Sequence, residues 1–187
     1  KRLSGGEYSI SGTLVGDLSL KRYFTYTGKV ITIDRHESKD ETPNSTLTTD
    51  IALNGWTQAR LQDKGDSYYL QDESCRVVEL YLAEESISLV DTWPAGNGRV
   101  LKVEFFVEWA TDVTQGIPAG TYTVVARDKE SYGIPRELLK PGNIASGYPN
   151  GFTYPGGTWY EKLQNGAMKE YARIDGGTMT VARDGDK

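Results

Sequence analysis

The chain has 187 residues, enough for one large domain or two smaller units sharing a core, and a chain of that size buries roughly 70% of its unfolded surface without a metal or disulfide staple. Lys and Arg number 21 against 26 Asp and Glu, and the net charge of −5 repels phosphate backbones and anionic membranes, which argues against nucleic acid as a partner. No run approaches the ~20 apolar residues that span a bilayer, Cys75 as the single cysteine excludes an internal disulfide, and 12 Tyr, 4 Trp and 21 Gly beside 2 Met favour strands and turns.

In chain order, Glu7 to Val15, Leu18 to Thr27 and Lys29 to Ile33 read as strands punctuated by Gly16-Asp17 and Gly28. Asp34 to Asp50 is charged and hydroxyl-rich around Pro43; it reads as a solvated excursion, with Leu47 to Leu53 a candidate edge strand. The polar stretch from Gln58 to Asp66 links an N-terminal β-unit, residues 1–62, to a main unit, residues 63–187, and the two can share a core. Val77 to Leu82, extending toward Leu89, is the expected antiparallel partner of the clearest strand, Leu101 to Trp109. The Asn97-Gly98 pair between them suits a tight turn with positive φ at both residues. In that strand Leu101, Val103, Phe105, Val107 and Trp109 share one face, and Lys102, Glu104, Phe106 and Glu108 the other. Only a period of two explains the pattern, and the face with Lys102, Glu104 and Glu108 is the expected solvent face. Phe105 and Val107 are expected to be buried.

Ile117-Pro118-Ala119-Gly120 is a turn leading to a strand over Thr121 to Ala126. Residues 128–157, with Pro135, Pro141, Pro149 and Pro155, resist strand assignment, and Glu137 to Lys140 is the one stretch there suited to a helical turn. Glu170 to Ile174 and Thr178 to Arg183 flank Asp175-Gly176-Gly177 as a hairpin. Thr178 to Arg183 is then an edge strand, and a monomer with a weak tendency to self-associate is expected. No repeat of fixed period is present. The expected fold is all-β: an antiparallel two-sheet sandwich of Greek-key or jelly-roll character, with a calycin-like barrel as the alternative.

Ser/His/acid catalysis needs a base, and the only histidine, His36, lies in Asp34-Arg35-His36-Glu37-Ser38, where neighbours on an extended segment point opposite ways. Cys75 precedes an apolar strand and reads as a buried or edge thiol. One His and one Cys cannot build a zinc site. Asp63, Asp66, Asp72 and Glu73, and Asp184 and Asp186 around Gly185, are acidic enough for calcium but lack its loop pattern and read as turn residues. Glu104 and Glu108 on one strand face are about 13 Å apart, beyond the ~5 to 9.5 Å of glycosidase carboxylates. Asn44-Ser45-Thr46 matches the N-glycosylation pattern, a triplet common by chance. No catalytic residue, metal or cofactor is expected. The feature that points to recognition is the segment from Tyr148 to Tyr160: Tyr148, Phe152, Tyr154, Trp159 and Tyr160 lie among Pro and Gly, and rings on a stiff loop offer flat apolar faces for sugars or peptides. Against that, Trp159 and Tyr160 can open a strand and pack inward.

Three pieces of the chain, Ser67-Tyr68-Tyr69-Leu70 with Val77 to Leu82, Ile117-Pro118-Ala119-Gly120-Thr121-Tyr122-Thr123, and Ile174-Asp175-Gly176-Gly177-Thr178-Met179-Thr180-Val181, resemble in order and spacing the uncharacterised secreted lipoproteins of Bacteroidetes. The resemblance covers roughly residues 67 to 187. It implies export to the cell surface or periplasm, anchoring through a lipidated cysteine upstream of Lys1, and a further strand after Lys187. It carries over no catalytic residue. The expected function is a non-catalytic binding module for glycan or protein, with a structural or assembly role or a hydrolase as alternatives.

Overall fold

A computed structural model describes residues 7–15, 21–29, 45–68, 70, 74–128, 131–148 and 156–182. Two compact units emerge, Lys1–Asp40 and Glu41–Lys187. The first holds β1 (Glu7–Val15) and β2 (Lys21–Lys29), an antiparallel pair running from Glu7 opposite Lys29 to Val15 opposite Lys21. Gly28 lies inside β2, opposite Tyr8, rather than ending a strand. The segment around His36 is outside the described residues.

The second unit carries β3 (Gln58–Gly65), β4 (Arg76–Ala83), β5 (Ile87–Ser88), β6 (Ala95–Gly96), β7 (Gly98–Val107), β8 (Gly120–Val125), β9 (Asn143–Ala145), β10 (Trp159–Gln164), β11 (Ala167–Arg173) and β12 (Thr178–Val181). Helix among the described residues amounts to single 3-10 turns at Val113–Gln115 and Arg136–Leu138, so the chain is all-β. Among the described residues no helix is long and apolar enough to cross a membrane. Residues 47–53 form no strand. Residues 58–62, grouped with the N-terminal unit on sequence, are the first half of β3 and pair with β4.

β7 organises the sheet. One side pairs with β4 along its length, Arg76 opposite Val107 through Ala83 opposite Val100, and β3 lies outside β4. On the other side β7 pairs with β10 from Gly98 to Lys102 and then meets β9 where Phe105 faces Ile144. The sheet forks there, β10 leading to β11 and β9 to β8 and β12, with β8 and β9 parallel. Residues 174–177 alone connect β11 to β12, a reach of at most about 18 Å. The mixed sheet therefore curls into a half-barrel, and β5 with β6 forms a small sheet beside it.

The expected hairpin across Asp175-Gly176-Gly177 is not formed. The Gly147 N–H donates to the Ile174 carbonyl at 3.0 Å, the Ile174 N–H to the Thr158 carbonyl at 3.1 Å and the Val124 N–H to the Gly177 carbonyl at 2.9 Å. These bonds carry the link across the fork, so β12 pairs with β8 instead of β11. The turn before β7 also differs: Gly96 and Gly98 have φ of +120° and +149°, while Asn97 does not take positive φ.

Both faces of β7 are covered. Val103, Phe105 and Val107 join Val78, Ile117, Tyr122 and Ile144 in one apolar cluster. The opposite face, expected in solvent, is buried as well: Lys102 is 3% and Glu104 5% exposed, and Glu108 alone of the expected solvent residues is exposed. Loops remote in sequence cover it. Leu70, Cys75, Ile134 and Leu139 pack over Val77 and Phe106 at one end, and Ile87 and Leu89 over Ala83 and Val100 at the other.

Candidate ligand-binding site

Between those two apolar ends runs a belt of charge. Strand pairing sets Glu79 directly opposite Glu104, a like-charge pair that is costly by itself. Lys102, two residues from Glu104 and on the same face, bridges them, with its Nζ 2.8 Å from Glu79 Oε1 and 3.7 Å from Glu104 Oε2. The Tyr81 hydroxyl donates to Glu79 Oε2 at 3.2 Å, and the Arg60 guanidinium lies 4.4 Å from the Tyr81 ring centroid. Glu104 anchors the covering loops, accepting the Tyr68 hydroxyl at 2.5 Å and the Gly157 N–H at 3.0 Å. Its own N–H donates to Thr158 Oγ1 at 3.2 Å, satisfying the backbone where the fork breaks the ladder. Glu161 of β10 adds a third buried carboxyl, and burial raises its pKa to about 7 against the pull of Lys102. Burial, reinforced by the neighbouring glutamates, drives the Tyr68 and Tyr81 hydroxyls well above the usual range. The lone pairs of Glu79 and Glu104 are committed to these partners, so the belt ties loops to the sheet.

Arg127 connects the belt to the surface. It follows β8, and its Nε donates to the Ser146 carbonyl at 3.0 Å, Nη1 to the Tyr132 carbonyl at 3.2 Å and Nη2 to the Tyr68 hydroxyl at 3.2 Å. The guanidinium sits 5.3 Å from the centroid of the Tyr148 ring. Tyr132 has a φ of +55°, a left-handed conformation that costs a non-glycine residue on the order of 1 kcal/mol or more. The turn that holds it is built from Asp128, whose carboxylate accepts the Ser131 N–H at 2.7 Å and hydroxyl at 2.9 Å while its backbone bonds Tyr132 and Gly133. The Tyr132 and Tyr148 rings meet edge to face at 5.9 Å, and they stay 39% and 40% exposed. The result is a small aromatic ledge with a fixed cation beneath it.

Of the rings singled out on sequence, Tyr148 is on this ledge. Trp159 and Tyr160 open β10 and are each 1% exposed; the Trp159 Nε1 donates to the Gly156 carbonyl at 2.9 Å, and the Tyr160 hydroxyl to Glu170 at 2.7 Å. The Tyr148 N–H, donating to the Gly156 carbonyl at 2.7 Å, closes the base of the connecting segment; Phe152 and Tyr154 lie outside the described residues. Cys75 is buried, its thiol against the Leu139 carbonyl. Asp63 pairs with Arg76 at 2.6 Å and Asp66 accepts the Leu70 N–H at 2.5 Å, both as structural groups. Asp72, Glu73, Asp184, Gly185 and Asp186 are outside the described residues. Sequence reasoning missed Arg127 and Tyr132. The Asp128 to Gly133 spacing is the turn signal that marks Tyr132, whereas Arg127 has none.

Comparison with protein-family models, curated proteins and solved structures finds no match to this chain.

Proposed function

We propose that this chain is a non-catalytic binding domain whose ligand stacks on Tyr132 and Tyr148. The observation that carries the reading is Tyr132 itself: an exposed aromatic residue in a strained backbone conformation, fixed against a second exposed ring. Strain maintained by surrounding bonds at a surface ring is a mark of a functional position. A glycan suits the ledge better than a protein, because two rings fall far short of the roughly 800 Å² per partner of a stable protein interface. A pyranose can lay a face on one ring with its edge against the other, and the resemblance to Bacteroidetes surface lipoproteins adds export and an upstream lipid anchor to the proposal; the monomeric state expected from the edge strand belongs to it as well. The finer architecture belongs to it too: a two-sheet sandwich or a calycin-like barrel, with the curl of the sheet favouring the barrel. The test is a glycan array on the wild-type chain and on Y132A/Y148A. Binding by the wild type that the double variant loses is expected, and binding that survives in the variant sinks the proposal.

One observation favours a second reading, an assembly role. Among the described residues β12 pairs only with β8, leaving an edge that can accept a strand. Light scattering that shows concentration-dependent self-association would support it.

A further inference from the structure

The ledge's chemistry narrows its ligand, on the premise that the ledge is the binding surface. Arg127 is half-buried and always charged, yet the partners of its guanidinium are two carbonyls, one hydroxyl and a ring. Among the described residues no carboxylate pairs with it. Tyr68 holds its proton far above neutral pH and so supplies no counter-charge, and Glu104 reaches Arg127 only through that hydroxyl. The adjacent Asp128 spends one carboxylate oxygen on Ser131. A guanidinium has five N–H donors in a rigid fork; three bonds hold this one in place, and among the described residues the other two donors meet no acceptor. A cation fixed in orientation before a ligand arrives loses little freedom on binding.

We infer that the site takes an acidic sugar, its ring laid against Tyr148 and flanked by the Tyr132 ring that meets it edge to face, with its carboxylate received by Arg127. Ring stacking supplies the apolar contact, and the charge-assisted bond to the guanidinium supplies the selection. The chain's net charge of −5 makes the inference discriminating, because long-range electrostatics disfavour an anionic oligosaccharide. A preference for the acid must then arise at short range.

Titration calorimetry at 0.15 M salt with trigalacturonate, and with its methyl ester, tests this on the intact protein. The free acid is expected to bind at least ~10-fold tighter than the ester, the scale of a hydrogen bond to a charged group. R127Q, with its fold verified by circular dichroism, is expected to erase the difference between the two, and Y148A to weaken both ligands. Equal affinity for acid and ester overturns the acidic-sugar inference and leaves the stacking ledge standing. Binding of the acid that is untouched by Y148A overturns both. Absence of binding to either ligand also rejects the inference, and the array then decides separately whether the ledge binds another sugar. The comparison of acid with ester uses wild-type protein alone, so the inference stays testable if R127Q does not fold.

Discussion

Glu161 is a carboxyl whose surroundings work against its charge. It is 8% exposed on a face already holding Glu79 and Glu104 against one ammonium, so its proton is retained to about pH 7 instead of the ordinary 4.5. Between those values the folded chain holds a proton that the unfolded chain has released. The associated stability is therefore full below about pH 4.5 and is lost as pH rises through 7, up to about 3 kcal/mol from the size of the shift. Glu84 and Asp112 are shifted downward by hydrogen bonds from Arg99 and Thr114 respectively, so their contribution has the opposite sign and disappears in acid. Urea melts of the wild type are expected to show stability falling from pH 5 to pH 8, and E161Q to flatten that slope. An unchanged slope in E161Q would remove Glu161 as its source. Alternation along β7 made the burial of Phe105 and Val107 readable, and Phe105, 0% exposed and edge-on to Tyr122 at 4.9 Å, should cost ~3 to 5 kcal/mol on truncation to Ala in a denaturant melt. The same alternation could not reveal that Lys102 and Glu104 are buried, because a period of two says which residues share a face and not which distant loops cover it.

At the level of elements, the fork in the sheet depends on two glycines. A side chain on Gly147 would come within 2.7 Å of the Thr158 carbonyl oxygen and 2.9 Å of Trp159 Nε1. At Gly157, with φ of +75°, a Cβ would overlap the Ser146 carbonyl oxygen. The branches pass this close because Ser146 bridges Thr158 where β9 and β10 diverge. Gly166 also has positive φ, +72°, yet its Cβ would meet nothing within 4 Å. The pair separates strain from collision: G166A is expected to cost about 1 kcal/mol for the left-handed backbone, and G157A roughly 2 to 4 kcal/mol because overpacking adds to it. Equal losses in thermal melts would mean that the fork relaxes around an added methyl. Strand existence was largely legible, from β4 and β7 through β8 and β11. Pairing was not: Asp175-Gly176-Gly177 has the composition of a hairpin, and the carbonyls that turn it into a crossing, Thr158 and Ile174 among them, are set by the fork.

At the scale of the whole molecule, periodicity leaves sandwich and barrel undecided, since both alternate inward and outward residues; the curl becomes visible only through the short link between β11 and β12. The placement of β3 decides how far the second unit extends. Its three apolar clusters draw, among the described residues, only on residues from Tyr68 onward, which alone would permit a unit beginning near residue 63. The polar bonds say otherwise. Gln58 Nε2 donates to the carbonyls of Glu84, Glu85 and Ile87 at 3.0, 2.9 and 2.6 Å. Arg60 bonds the carbonyls of Leu89, Asp91 and Thr92 while covering the Tyr81 ring. The Thr46 N–H, further upstream, donates to the Tyr171 carbonyl at 2.8 Å, and Thr46 Oγ1 accepts the Tyr171 N–H at 2.9 Å, closing the outer edge of β11. A chain begun at Glu41 keeps all of these bonds. One begun at Asp63 loses most of β3, bares the edge of β4 and leaves the half-buried bonds to the Glu84, Ile87 and Leu89 carbonyls unmade, with exposed ones at Glu85, Asp91 and Thr92, at about 1 kcal/mol for each bond that water does not replace. The fragment 41–187 is therefore expected to unfold cooperatively in urea, whereas 63–187 should show a midpoint far lower or no cooperative transition. Matching transitions in the two fragments would place β3 outside the cooperative unit and return the boundary to residue 63.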